Sequence, residues 1–158
     1  MKKTIIGILL PVIILIACKK NGGDRVVPPG QLSIAGKWNV DSVNVFFYDA
    51  AGSLDSSEIG YPIADLKYSL YFQFNGDQSW SESLAAGSDT TVVAEGTYSY
   101  TSNNTFDLTY PNANPARKVE PCKIISLTNS SFIFSKQLPT VFNGTEPGYI
   151  KYLFRLTK

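Results

Sequence analysis

Apolar and polar residues alternate along most of the chain between residue 34 and the C-terminus. The alternation is clearest over residues 78–84, where Trp80, Glu82 and Leu84 share one face and the intervening serines share the other. Since successive side chains of a β-strand point to opposite faces, this period of two predicts strands. No convincing helical stripe accompanies it. We expect strands over residues 36–48, 67–74, 78–84, 90–100, 105–110, 117–127, 131–138 and 149–157.

Turn-forming residues separate the expected strands. Residues 75–77 (Asn-Gly-Asp) and 102–104 (Ser-Asn-Asn) are typical of tight hairpins. The longest connection, residues 49–65, is polar, and we expect it to form a lid or a short helix over one end of the domain. Pro121 interrupts the strand over 117–127, which is therefore predicted to be bulged or to lie at a sheet edge.

This pattern predicts an all-β fold, an eight-stranded antiparallel up-and-down barrel formed by residues 34–158. A barrel removes the exposed edges that amphipathic strands would otherwise leave. The alternative is an immunoglobulin-like sandwich, which the lack of a Cys pair and the uninterrupted order of hairpins disfavour.

The alternation also predicts which side chains point into the barrel. An eight-stranded barrel is either filled by its own side chains or holds one small ligand, and the sequence leaves both open. The candidates for lining a cavity are Phe46, Tyr68, Phe72, Trp80, Glu82, Tyr98, Phe106, Phe132 and Tyr152.

The first 17 residues differ from the rest of the chain. Two lysines follow Met1, and residues 4–17 are apolar apart from Thr4. A helix over this segment would span about 21 Å, which is less than the roughly 30 Å of the hydrocarbon core of a membrane. Residues 1–17 are therefore predicted to be a signal peptide rather than a membrane-spanning helix.

The apolar segment ends in Leu15-Ile16-Ala17-Cys18, which resembles the lipobox of bacterial lipoproteins. The resemblance implies that the Cys18 thiol receives a diacylglycerol and that cleavage after Ala17 leaves Cys18 as an acylated N-terminus. Several acyl chains hold a protein at a membrane that the protein does not cross. Because Lys19 follows and not Asp, the resemblance to Gram-negative lipoproteins implies the outer membrane.

Residues 18–33 contain glycines, prolines and mostly polar side chains. Such a segment cannot bury a core, and we expect it to be a flexible tether between the lipid and the domain. The tether permits the domain to face either the periplasm or the outside.

Gly36 and Trp38, at the start of the first expected strand, resemble the Gly-x-Trp signature of lipocalins. Residues 72–77 and 96–100 are similar to the aromatic strand with its Asn-Gly turn, and to the Gly-x-Tyr strand, of small bacterial lipocalin-like lipoproteins. The resemblance implies that Trp38 closes the base of the barrel and that Arg155 stacks on it as a cation–π pair. Strict alternation, however, places Arg155 on the outer face.

Composition excludes several kinds of function. The chain has no His, which removes Ser-His-Asp and Cys-His nucleophile systems and His-ligated metal sites. Its 14 basic and 13 acidic residues argue against a nucleic-acid binder held by bulk charge. Glu82 is the one carboxylate expected on an inward face, so we expect neither a paired-carboxylate enzyme nor a cofactor or metal. Cys122 is expected to be a small buried hydrophobe.

Two functions follow from these expectations. The first is non-catalytic binding of a small hydrophobic or amphipathic molecule in the cell envelope, with Glu82 as a buried charge that the ligand itself partners. The second is a structural or protein-interaction module, whose barrel is filled and whose partner is another envelope protein.

Overall fold

The computed structural model describes residues 33–62, 67–111, 118–142 and 146–158. The predicted signal peptide with its cleavage site after Ala17, the predicted lipidation site Cys18 and all but the last residue of the predicted tether lie outside the described residues. The described chain forms the strands β1 (Gly36–Asp49), β2 (Leu54–Pro62), β3 (Ser69–Phe74), β4 (Ser79–Ala86), β5 (Asp89–Ser102), β6 (Thr105–Tyr110), β7 (Lys118–Leu127), β8 (Ser131–Phe142) and β9 (Glu146–Thr157). No helix in these residues is long and apolar enough to cross a membrane.

The strands form one antiparallel sheet that closes because β1 pairs with β9. On its other edge β1 pairs with two strands in succession. Its first residues pair with β3, and its residues from Ser42 to Tyr48 pair with β2. β2 and β3 therefore occupy one position in the wall, and the barrel has eight positions in sequence order. The expected eight-stranded antiparallel barrel is confirmed.

In its described residues, 49–62, the connection expected over residues 49–65 forms a strand instead of a lid or short helix. It begins with a tight turn, in which the Asp49 amide bonds the Ser53 carbonyl at 3.0 Å and the Asp49 carboxylate accepts from the Ser53 amide at 2.8 Å. It then continues as β2. The long edge of β1 binds this segment through main-chain hydrogen bonds, which do not depend on an alternating side-chain pattern.

A register shift in β1 reverses the faces of its second half. Val40 pairs with Leu156, but Ser42 pairs with Arg155, so one residue is inserted between them. Beyond this bulge Val43 shares the inner face with Phe154. Phe46 pairs with Lys151 on the outer face, and its expected position inside the barrel is therefore wrong.

Pro121 does not mark an edge strand, because β7 lies between β6 and β8. It does mark the place where β7 and β8 part. Their pairing begins at Cys122, opposite Lys136, and β8 continues to Phe142 along β9. Proline has no amide hydrogen to donate, which suits a position next to the end of a ladder. The expected bulge lies elsewhere in β7, between Ile124 and Ser126.

Buried aromatic rings fill the barrel near the end where β1 begins, which we call the closed end. Ile34 plugs this end. Its amide bonds the hydroxyl of Tyr100 at 3.0 Å, and its carbonyl accepts from the Trp38 indole at 2.7 Å. Five of the expected cavity residues lie in this packed floor: Phe72, Trp80, Tyr98, Phe106 and Phe132.

The cation on Trp38 is Lys158 rather than Arg155. The Lys158 ammonium lies 4.6 Å from the centroid of the Trp38 ring. Arg155 alternates with the buried Phe154 and Leu156 and is exposed outside the barrel, so its expected stacking on Trp38 is wrong. Lys158 follows the last strand and is free of its alternation, which allows it to reach around the end of the barrel.

The close packing of β5 against β6 requires a glycine at position 96, because a side chain there would collide with β6. A Cβ atom there would lie 1.8 Å from the carbonyl oxygen of Thr109 and 3.1 Å from Cδ of Pro111.

We expect Gly96→Ala to lower the free energy of unfolding by about 2–3 kcal/mol, because β6 must move away. Gly76→Ala is the matched control, since a Cβ there meets nothing within 4 Å. Urea unfolding of both variants measures the difference, and equal losses would contradict this account.

Candidate functional site

Polar side chains replace aromatic ones inside the barrel above the packed floor. We call this set, which comes from four strands, the charged layer: Glu82 of β4, Tyr110 of β6, Glu120 of β7 and Lys136 of β8. Along its strand, each member lies two residues farther from the closed end than a buried residue, so the layer lies directly above the floor. The register also makes it a lateral neighbour of buried residues. Glu82 pairs with the buried Phe72. Glu120 pairs with the buried Leu108, and Lys136 with the buried Cys122.

Glu120 is the centre of the charged layer. It is 3% exposed, and both of its carboxylate oxygens are bound. Oε1 lies 2.6 Å from the Lys118 ammonium and Oε2 lies 3.0 Å from the Lys136 ammonium. Burial raises the pKa of Glu120, but the hydrogen bond from Lys118, the charge of Lys136 and the hydrogen bond from Tyr110 outweigh it and lower the pKa. Glu120 is therefore ionised at neutral pH.

Tyr110 is held as a hydrogen-bond donor in this layer. Its hydroxyl donates to Oε2 of Glu120 at 2.7 Å, and the Lys136 ammonium donates to the same hydroxyl at 3.4 Å. Burial and the bond to Glu120 raise the pKa of Tyr110 far above its usual value. Lys136 also lies 5.9 Å from the ring centroid of Tyr152 and 5.7 Å from that of Phe154.

Glu82 has a different environment from Glu120. Burial raises the pKa of Glu82, the charge of Lys136 lowers it and the charge of Glu120 raises it, with a net upward shift. In the described parts of the chain it accepts no hydrogen bond comparable to those at Glu120. Two carboxylates thus share the interior of the barrel, whereas the sequence predicted one. Both oxygens of Glu120 are engaged by cations, which makes it a counter-ion rather than a free acid or nucleophile.

Trp80 adds an unsatisfied donor beside the charged layer. The side chain is 2% exposed, and its indole nitrogen has no hydrogen-bond partner among the described residues. Its ring meets the ring of Tyr110 edge-on, with centroids 5.0 Å apart. Trp80 and Glu82 are two residues apart on one face of β4, so both belong to the same part of the interior.

Above the charged layer the inward side chains are only half buried. Leu138 and Ile150 pair with each other one step beyond Lys136 and Tyr152, and both are half buried. Water therefore reaches this part of the interior, while the floor excludes it.

The structure brings together most of the sequence-predicted site residues. Glu82 and Tyr152 lie at the charged layer, and the five floor residues lie below it. Two candidates lie apart from them. Phe46 is on the outer face, and Tyr68 stands just before β3 with 41% of its surface exposed. Whether any of them contacts a ligand stays a prediction.

Sequence reasoning missed Tyr110, Glu120 and Lys136, although the sequence carries signals for all three. Lys136 follows the inward Phe132 and Phe134 at the same spacing of two, and Tyr110 follows Phe106 and Leu108 in the same way. Glu120 is two residues before Cys122, which was expected to be buried. Pro121 lies between them and was interpreted as an interruption of the strand, although buried and exposed side chains alternate through it without a break.

The opposed pKa shifts of the two carboxylates predict opposite effects on stability. Since the folded pKa of Glu120 is lowered, its ion pairs stabilise the fold above the unfolded pKa near 4.5 and are lost as pH falls through the folded value. We expect Glu120→Gln to cost about 3 kcal/mol at neutral pH, because Lys136 is left inside without its counter-ion. In acid this difference shrinks.

Glu82→Gln has the reverse expectation. Its raised folded pKa means that ionised Glu82 destabilises the fold as pH rises above about 4.5, so the variant gains stability at neutral pH. The exposed Glu95→Gln is the control for loss of one charge. Urea unfolding at neutral and acid pH measures all three variants. A Glu120→Gln protein as stable as the unmodified one at neutral pH would refute the role of Glu120.

Comparison with known proteins agrees with this architecture. The family model of the lipocalin-like domain matches residues 34–134. No curated protein matches the chain. Lipocalin barrels are built to enclose a small ligand, and such domains generally serve binding rather than catalysis. The match covers most of the chain and runs from Ile34 at the closed end to Phe134 in the first half of β8, so the chain belongs to the lipocalin-like domain family.

Proposed function

We propose that this protein binds a small amphipathic molecule in the upper half of its barrel while a lipid anchor holds it at the outer membrane. The observation that carries the binding role is the charged layer, which lies inside the barrel above an aromatic floor. Buried charges cost free energy unless something compensates them. A barrel that served only as a packed scaffold gains nothing from placing two carboxylates and an unsatisfied indole donor in its interior.

The division of the barrel into two halves supports an amphipathic ligand. The closed end is filled by the protein's own aromatic rings, so a ligand is not required to fill it. Above the charged layer, half-buried apolar side chains such as Leu138 and Ile150 offer walls for an apolar tail. The charged layer offers partners for a polar head. Apolar walls with a few polar groups are the usual composition of a small-molecule site.

The alternative function, a structural or protein-interaction module with a filled barrel, draws its support from the packed floor. There Phe134 and Phe154 stack with centroids 4.9 Å apart, and Phe132 and Phe134 with centroids 5.1 Å apart. The two functions differ in the upper half of the barrel, which a filled module has no reason to leave half buried.

The proposed location rests on the sequence before residue 33. Leu15, Ile16, Ala17 and Cys18 resemble a lipobox at the end of an apolar segment, and Lys19 follows. Lipidation of Cys18 would place the barrel at a membrane surface, where a ligand with a long apolar tail is available.

The binding role is tested by native mass spectrometry of the protein purified from a bacterial envelope without denaturation. We expect a reproducible additional mass that organic extraction removes and that reappears after incubation with total envelope lipid. A protein that shows its bare mass before and after that incubation would favour the filled module.

The anchor is tested separately by changing Cys18. We expect the unmodified chain to carry acyl groups on its N-terminal residue and to fractionate with the outer membrane. Cys18→Ser is expected to lose both properties, because serine lacks the thiol that accepts the lipid. Mass spectrometry of the N-terminal peptide measures the modification. An N-terminus cleaved at another site and free of lipid would contradict the proposed anchor.

A further inference from the structure

Among the described residues, the charged layer holds two carboxylates but one buried ammonium group. Glu82 and Glu120 both face the interior, and the ammonium of Lys136, whose side chain is 12% exposed, is the cation buried with them. Lys118 binds Glu120 from the rim, where its side chain is 45% exposed. Both lysines are committed to Glu120. Glu82 is therefore left with an excess negative charge in a partly desolvated place.

The surroundings of Glu82 suit a cation better than an anion. Tyr110 belongs to the charged layer, the ring of Trp80 contacts the ring of Tyr110, and the ring of Tyr152 lies near Lys136. Aromatic faces attract positive charge. The protein's own Lys136 already lies within 6 Å of the ring centroids of Tyr152 and Phe154. An anion entering from above would be repelled by the two carboxylates. The two ammonium groups that could attract it are already bound to Glu120.

A second polar group beside Glu82 also lacks a partner. The Trp80 indole nitrogen is buried, has no acceptor among the described residues, and belongs to the same face of β4. Unpartnered buried donors are rare in native proteins and call for an explanation such as an absent ligand. An oxygen atom close to the cation of a ligand would satisfy it.

We propose that the ligand carries a protonated amine that forms an ion pair with Glu82, its apolar tail lying against the half-buried walls above the charged layer. This inference rests on the proposed binding function and narrows it to amines. It assigns different work to the two carboxylates, with Glu120 holding Lys136 in place and Glu82 left open for the ligand.

Three probes with the same tail and different heads test the proposal: dodecylamine, dodecanol and dodecanoate. Their affinities are measured by isothermal titration calorimetry at neutral pH, below the micelle concentrations of the amine and the carboxylate and below the solubility of dodecanol. We expect dodecylamine to bind at least about tenfold more tightly than the other two, the effect of one partly buried ion pair.

Two matched variants identify the residue responsible. Glu82→Gln and Glu95→Gln each remove one negative charge, the first inside the barrel and the second on the exposed face of β5. We expect Glu82→Gln to bind the three probes alike and Glu95→Gln to keep the preference for the amine. Glu82→Gln removes a buried charge, so we expect it to fold at least as well as the unmodified protein.

The outcomes separate the two levels of the proposal. If the probes bind but the amine is not preferred, or if Glu82→Gln keeps the preference, the amine inference is wrong and the binding function stands. If none of the probes binds to the folded protein, the proposed binding function fails together with the inference.

Discussion

The ion pair between Glu120 and Lys136 joins β7 to β8 inside the barrel at the height where their backbone pairing ends. Below it, Cys122 and Lys136 begin the ladder of main-chain hydrogen bonds that joins the two strands, with one bulge between Ile124 and Ser126. Above it, β8 follows β9 alone among the described strands. At this point the two strands are joined by a side-chain ion pair of 3.0 Å instead of by main-chain hydrogen bonds. The pair needs Tyr110 and Lys118 to satisfy the remaining capacity of the carboxylate, and Tyr110 of β6 is thereby held in the charged layer.

The closed end of the barrel meets the same requirement that buried polar groups have hydrogen-bond partners. Trp38 donates to the carbonyl of Ile34, whose amide bonds Tyr100, so the plug at this end leaves no main-chain group of Ile34 unsatisfied. Aromatic rings pack the space above the plug. The interior is therefore rigid and dry at one end and polar and half exposed at the other, which is the arrangement that an amphipathic guest requires.

The sequence contained most of the fold because strand alternation is a local property. Residues 105–110 were expected as a strand and form β6 with the same bounds. The reversal of faces in β1 was hidden, because both of its faces carry apolar residues beyond Asp41. Phe46 and Tyr48 alternate as regularly as Val43 and Phe47, and only the pairing with β9 decides between them. β2 was not predicted for another reason. Main-chain hydrogen bonds hold it to β1, and these bonds do not require alternating apolar and polar residues in its sequence.

The site was harder to predict than the fold because it depends on contacts between distant strands. Glu82 was recognised from its own alternation in β4. Its neighbours Glu120 and Lys136 come from strands about 40 and 50 residues later, and only the closed barrel shows that they share its interior. Likewise, alternation alone placed Arg155 outside, yet it gave no way to find Lys158 on Trp38.

The central claim is that the barrel holds a guest directly above the charged layer. A crystal structure of the protein, isolated from the envelope without denaturation, tests it most directly. The account predicts electron density for a small molecule whose polar end contacts Glu82 and whose tail lies between β1 and β8. An interior in which side chains fill the upper half and leave no unassigned density beside Glu82 would contradict it.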